Sequence, residues 1–224
     1  MVDRSLEDED DPWVLTLVVE THKSLPVSET EVYAAAACAV ASGRDHDPDR
    51  FHAYEAGGRI RKLVRHAPPA RFAAICDLPE CLLAAESGRA RVAVIAPSRR
   101  SAVPTPVTKL QLTAPDDRFD RDRNEPSGAA APVIVAISPV LAMTVLKTAA
   151  QVGHAAQLMH AQLSSGGDHA LLDAWRRSGF ATSVAFPSPA EWRAFARAPV
   201  VVRDAGFTEV AAGAHTVSAL RGPP

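Results

Sequence analysis

The chain carries almost no excess charge of either sign: 24 Lys and Arg against 26 Asp and Glu leave a formal net charge of −2 over 224 residues. Composition alone therefore does not announce nucleic-acid binding, and such a partner has to be argued from a local site. Aromatic residues are scarce at 5%, and there are three cysteines, Cys38, Cys76 and Cys81, all in the first half. An odd number with no basic-then-apolar leader ahead of it argues against a disulfide framework. Cys76 and Cys81 frame Asp-Leu-Pro-Glu without a second Cys or His pair, so they read as small buried apolar groups rather than zinc ligands. His22, His46, His52, His66, His160, His169 and His215 show no H-x-x-x-H or HExxH spacing, and no glycine-rich phosphate loop is present. No metal and no cofactor are expected. No apolar run reaches the length of a membrane span. The acidic opening MVDRSLEDEDD reads as a frayed tail over residues 1–12, and the expectation is a cytoplasmic protein.

What is present, 47% hydrophobic and 22% charged residues, describes globular chain long enough for one large domain or two small ones. Residues 114–131, APDDRFDRDRNEPSGAAA, are dense in charge, Pro, Gly and Ala and read as a linker. They separate a domain over 13–113 from one over 132–224. Each half opens on an apolar strand, Trp13–Val19 and Val133–Ile137, followed by a Pro-containing loop and an Ala-rich helix. An aromatic then stands four residues before a glycine, Tyr54 before Gly58 and Trp175 before Gly179, as at a helix end. Pro69 and Pro189 each start a short helix. Val92–Ile95 is matched with Val200–Arg203, and Val107–Leu110 with Val217–Leu220 or, in an earlier register, with His215–Val217. The order β-α-α-β-α-β-β in both halves predicts a sheet of about four strands in each, with helices on its apolar faces. Two such copies would pair as an internal pseudo-dimer, although any two α/β segments align loosely.

Two segments of the second half hold polar residues that packing does not explain. In Lys147-Thr148-Ala149-Ala150-Gln151-Val152-Gly153-His154, the residues Lys147, Gln151 and His154 stand at i, i+4 and i+7 and share one helix face. A lysine at a helix N-terminus opposes the helix dipole, which suggests an anion or carboxylate partner. A solvated lysine with polar neighbours fits the same pattern. The second segment runs from Val200 to Val217, where Asp204 follows an apolar strand, the place where ligands bind in open α/β sheets. Gly206 and Gly213 mark turns on either side of a short strand, so that Thr208 and Thr216 could face one another across a hairpin. Taken alone, Asp204-Ala205-Gly206 is also an ordinary turn.

Together the two segments resemble the type 2 peptidyl-tRNA hydrolase family, with its Lys-x-Ala-Ala-Gln-x-x-His-Ala helix and later Asp-Ala-Gly-Arg-Thr…Gly-Ser-x-Thr hairpin. The resemblance covers about Pro132 to Gly222. It implies a mixed four-stranded sheet between helices, so the fold expected is α/β: a three-layer α-β-α unit present twice in tandem, the first copy degenerate. The activity implied is hydrolysis of the ester joining a peptide to tRNA, with peptidyl-tRNA as partner and no metal. Carried over by position, Lys147, Asp204 and Thr208 are catalytic, and Gln151, His154 and Thr216 bind substrate. In this reading Asp204 orients or activates water, Lys147 supports negative charge and Thr208 fixes the carboxylate.

The chain departs from the pattern at Phe207, where a basic residue is usual, at Ala212 for a proline and at Ala214 for a serine. From Pro132 on there are seven Lys or Arg against five Asp or Glu, a weak footprint for tRNA. The rival readings are an idle RNA- or protein-binding descendant and a related hydrolase of another ester or amide. In the first half Ala96 is placed opposite Asp204, Arg100 opposite Thr208 and Thr108 opposite Thr216, so that copy would have lost its site. Arg99 and Arg100 with Arg59, Arg61, Lys62 and Arg65 offer a basic surface, the last four reading first as a solvated strand or loop edge. Trp13, Trp175 and Trp192 are expected as core anchors.

Overall fold

The computed structural model describes residues 11–57, 61–121, 131–206 and 209–223. It is a mixed α/β chain with two four-stranded sheets. The first half contains β1 (Trp13–Glu20), β2 (Val27–Ser28), α1 (Glu29–His46), α2 (Pro48–Ala56), β3 (Arg61–Ala67), α3 (Pro69–Cys76), β4 (Cys81–Ser87), β5 (Ala90–Arg99) and α4 (Thr105–Thr108). After β6 (Phe119–Asp120) the second half follows as β7 (Val133–Ile137), α5 (Val145–Ser165), α6 (His169–Arg177), β8 (Thr182–Ala185), α7 (Pro189–Phe195), β9 (Val200–Arg203) and β10 (His215–Arg221).

The sheets run β3-β1-β5-β4 and β8-β7-β10-β9. In each, the first strand pairs parallel with the second and antiparallel with the fourth, and the fourth pairs antiparallel with the third. Strand order and sense are thus the same in both halves. The pairing corrects the strand matches drawn from sequence. Val92–Ile95 lies in β5, the counterpart of β10, while the counterpart of β9 is β4. Residues Val107–Leu110 form no strand: Thr105–Thr108 is one helical turn with Pro at its start, and Val107 and Leu110 turn inward. Pro104 and Pro106 lack the N–H groups a ladder needs but suit a first turn. Ala96, Arg100 and Thr108 are therefore not the counterparts of Asp204, Thr208 and Thr216.

Central strands explain the apolar runs. In β1, Leu15, Leu17 and Val19 join the main core with α1, while Val14 and Val18 pack on the other face with Phe72 and Ile75 of α3 and with Val103, Val107 and Leu110. Both faces are covered, so alternation with polar residues is absent. The buried alanines of α1, Ala34–Ala37, Ala39 and Ala41, let it lie close to both its own sheet and α5. The two long helices pack on each other, and each also reaches the other half's sheet, α5 at β3 and α1 at β8. The main core is therefore continuous through both halves.

Residues 1–10 lie outside the described residues, but Asp11, read as tail, accepts from the backbone N–H of Ser101 at 2.8 Å and from its hydroxyl at 2.7 Å. Within the stretch read as linker, Asp116–Arg118 forms a 3-10 turn and β6 pairs parallel with β2; residues 122–130 lie outside the described residues. The three tryptophans divide: Trp175 is fully buried and Trp192 nearly so, while Trp13 packs on the core partly buried. No helix among the described residues is long and apolar enough to cross a membrane.

Candidate functional site

Asp204 leaves β9 at its C-terminal end. Its N–H donates to the Ala214 carbonyl at 3.0 Å, and its own carbonyl accepts from the Gly213 N–H at 2.7 Å, which carries the β9–β10 pairing one step beyond the strands. The residues between Gly206 and Gly213 that are described form a loop rather than the expected strand. One carboxylate oxygen, Oδ1, accepts from the Gly206 N–H at 2.7 Å. Gly206 has φ +82°, and a Cβ there would sit 2.7 Å from the Ala212 nitrogen. Glycine is required on both counts.

The other oxygen, Oδ2, takes two donors from α5: Lys147 Nζ at 2.5 Å and Gln151 Nε2 at 2.8 Å. Thr144 caps that helix, its hydroxyl accepting the Lys147 N–H at 3.2 Å, so Lys147 is held in the first turn. The carboxylate partner anticipated for this lysine is Asp204. Gln151 in turn accepts at Oε1 from the Thr216 hydroxyl, 2.7 Å away on β10. With its NH2 on the carboxylate and its oxygen on a hydroxyl, the amide has one orientation only. Asp204, Gln151 and Thr216 are all buried.

Glu209 adds a further tie that sequence did not suggest. Its carboxylate accepts from the N–H and the hydroxyl of Thr144, each at 2.7 Å, fastening the Asp204–Ala214 loop to the positive end of α5. Thr208, assigned to the site by resemblance, lies outside the described residues, as does Phe207.

His154 stands on the same helix but not in the same network. Its Nδ1 meets Lys62 Nζ of β3 at 3.3 Å, and Lys62 also donates to Gln157 Oε1. Strand β3 is an edge strand, as read, but it lies under α5, so the Lys62 side chain is half-buried against the other half rather than fully solvated. Burial brings the Lys62 amine down to about 7, against an opposing pull from Glu55. Burial, and then the charges of Lys62 and Lys147, hold His154 well below the usual imidazole range.

From Gln157 the polar network continues through Glu55 to Arg44, then to His160, Asp45 and Arg176. His160 is lowered by burial and by Arg44; its Nδ1 accepts from Arg44 at 2.8 Å and its Nε2 faces Asp45 at 3.3 Å. On the opposite side of the helix pair, Cys38 of α1 donates its thiol to the Gly179 carbonyl at 3.0 Å. Gln157, three residues after His154, carries the only sequence signal that could have extended the helix face; Lys62, Glu55 and Arg44 give none.

Lys147, Asp204, Gln151 and His154 open on a cleft of about 910 Å³ whose opposite wall is Arg61–Val64 of β3 and Leu112–Ala114. Both halves thus build it. Among the described residues no group of three or more His, Cys, Asp or Glu side chains is arranged to hold a metal ion. The polar groups instead suit an oxygen-rich organic ligand: an ammonium and an imidazole that can donate and a carboxylate that accepts, at the rim of a largely apolar cavity. The chain matches no protein-family model, no curated protein and no solved structure.

Proposed function

We propose that the chain is a peptidyl-tRNA hydrolase of the type 2 kind, cleaving the ester between a peptide and the terminal ribose of tRNA with an activated water. The observation that supports this most is the hydrogen-bonded chain Lys147–Asp204–Gln151–Thr216 at the wall of the cleft. It joins the two segments that carry the resemblance, which are otherwise far apart in sequence.

Asp204 Oδ2 is occupied by two donors, whereas Oδ1 has one, the Gly206 N–H. Oδ1 retains an acceptor site for a water. That water adds to the ester carbonyl, its proton passing by way of Asp204 Oδ1 to the ribose oxygen as the acyl–oxygen bond breaks. Lys147 spends one N–H on Asp204 and offers the others to the oxyanion that forms on the carbonyl oxygen. Gln151 and Thr216 hold the carboxylate in place, and Thr208 keeps its catalytic assignment by resemblance. The reaction needs no cofactor, and a cytoplasmic setting goes with the substrate.

We read the two halves as tandem three-layer α-β-α units paired as an intrachain pseudo-dimer. The same strand order and sense support this. So does a meeting of like with like: Arg44 and His160, each the sixteenth residue of its helix, touch at 2.8 Å, as equivalent residues do at a two-fold axis. Such a chain is complete as a monomer. In the first half the third, seventh and tenth residues of α1 are Glu31, Ala35 and Cys38, where α5 has Lys147, Gln151 and His154.

Hydrolysis of N-acetyl-aminoacyl-tRNA by the full-length protein, in low salt with a chelator, tests the reading beside Asp204→Ala and Lys147→Ala. Turnover that both substitutions abolish is the expected result. Tight tRNA binding without turnover would replace it with a binding role, and turnover of small esters alone with a different hydrolase.

A further inference from the structure

The network between the halves has a direction, set at its buried end. Arg44 donates to both oxygens of Glu55, at 2.9 and 3.1 Å. Glu55 Oε1 also accepts from Gln157 Nε2 at 2.9 Å, so Gln157 turns its carbonyl oxygen the other way, where it takes an N–H of Lys62. Lys62 lies 5.6 Å from the centre of the Tyr54 ring, and its Nζ stands 3.3 Å from His154 Nδ1; as an ammonium it has no lone pair, so it donates there. A neutral imidazole that accepts at Nδ1 carries its proton on Nε2. Nε2 has no hydrogen-bond partner among the described residues and belongs to a ring that lines the cleft with Lys147 and Asp204.

The geometry points to a composite site, in which Lys62 of the first half is the positioning residue that holds His154 as a neutral Nε2–H donor to an oxygen of the ligand. That this oxygen belongs to the acyl-ribose end of a tRNA rests on the function proposed above; the tautomer does not. The groups facing the Lys62–His154 pair are Tyr54 and Glu55 from α2 and Lys147 from α5. The two ammonium groups oppose protonation of the imidazole, and the single carboxylate is shared with Arg44. The first half, which has no Lys-Asp site of its own, thus acts on the site of the second.

Nitrogen-15 spectra of histidine-labelled full-length protein test this without reference to activity. At about pH 6, where a free imidazole is largely charged, His154 is expected neutral with the proton on Nε2. In Lys62→Met the two tautomers are expected to mix and the imidazole to titrate at higher pH; Lys62→Gln, which keeps a donor, is expected to restore the Nε2–H form. A wild-type His154 that is charged at that pH or protonated on Nδ1 overturns the proposal, even if the variants fail to fold. A Lys62→Met spectrum identical to wild type also overturns it. In hydrolysis, Lys62→Met is expected to lose about tenfold or more in kcat with little change in KM, and Lys62→Gln to recover part of it. No hydrolysis by any of the proteins, with the tautomer as expected, overturns the peptidyl-tRNA reading and leaves the role of Lys62 standing.

Discussion

Glu31 and Lys147 occupy the same station with opposite charge. Each is the third residue of the long helix after the first strand of its half, and each follows a hydroxyl cap, Ser28 or Thr144, that accepts its N–H. Each side chain reaches the turn between the last two strands, where Glu31 accepts from the Arg89 N–H at 3.0 Å and Lys147 donates to Asp204 at 2.5 Å. In the first half the turn is tight, with Gly88 packed against the Glu31 carboxylate. In the second it has opened into the loop that carries Asp204.

Removing Asp204 should reduce stability as well as turnover. Asp204→Ala leaves the Lys147 ammonium and the Gln151 amide without their acceptor in a place where the lysine side chain is only 13% exposed. Breaking a buried pair from one side costs about 3–5 kcal/mol. Urea denaturation should show a loss of this size, and Asp204→Asn a smaller one with turnover still lost.

Gly206→Ala should act through the backbone. The left-handed φ and the approach to the Ala212 nitrogen both oppose a Cβ, so the N–H that holds Asp204 Oδ1 must move. A loss of about 1 kcal/mol or more is expected. Turnover should fall with KM nearly unchanged, which steady-state kinetics would read.

Thr216→Val keeps the shape of a buried strand residue and removes one hydroxyl. Gln151 Oε1 then has no donor, at a cost of about 1–3 kcal/mol. The amide stays bound to Asp204 through its NH2 but loses the tie that holds its other end. Thermal denaturation and turnover should both decline, and a variant as active and stable as wild type would show that Gln151 is held by other means.

Lys62 should make stability depend on pH in the alkaline direction. The folded protein releases the Lys62 proton at about 7, against 10.5 for an ordinary lysine. Between those values the unfolded chain binds the additional proton, so raising the pH favours the folded state. Between about pH 7 and pH 9.5 the Tm of wild type should therefore rise relative to that of Lys62→Met, a difference that calorimetry can follow.

The parts of the site legible in sequence were those that local geometry determines. Helical spacing places Lys147 and Gln151 on one face, and Asp204 after an apolar strand is at the end of a sheet whatever the rest of the chain does. Lys62 was not legible, because strand alternation says which face of a sheet a residue takes and nothing about a helix arriving from the other half. Strand β4 gives no such signal for a different reason: Cys81–Ser87 is mostly half-buried and has Ala84, Ala85 and Glu86 in its second half, so it lacks the β-branched run of β5. The displaced match then fell on Val107–Leu110, where Pro104 and Pro106 favour a helical turn.

Cys38 and His154 are each the tenth residue of their helices, yet one gives its thiol to the Gly179 carbonyl while the other receives an N–H from Lys62. In a dimer of identical subunits every inherited change appears twice, so an alteration that improves one cleft alters its twin as well. A chain that encodes both halves separately escapes that doubling. One helix can carry an imidazole where the other carries a thiol, and a residue of the half without a Lys-Asp site can serve the half that has one.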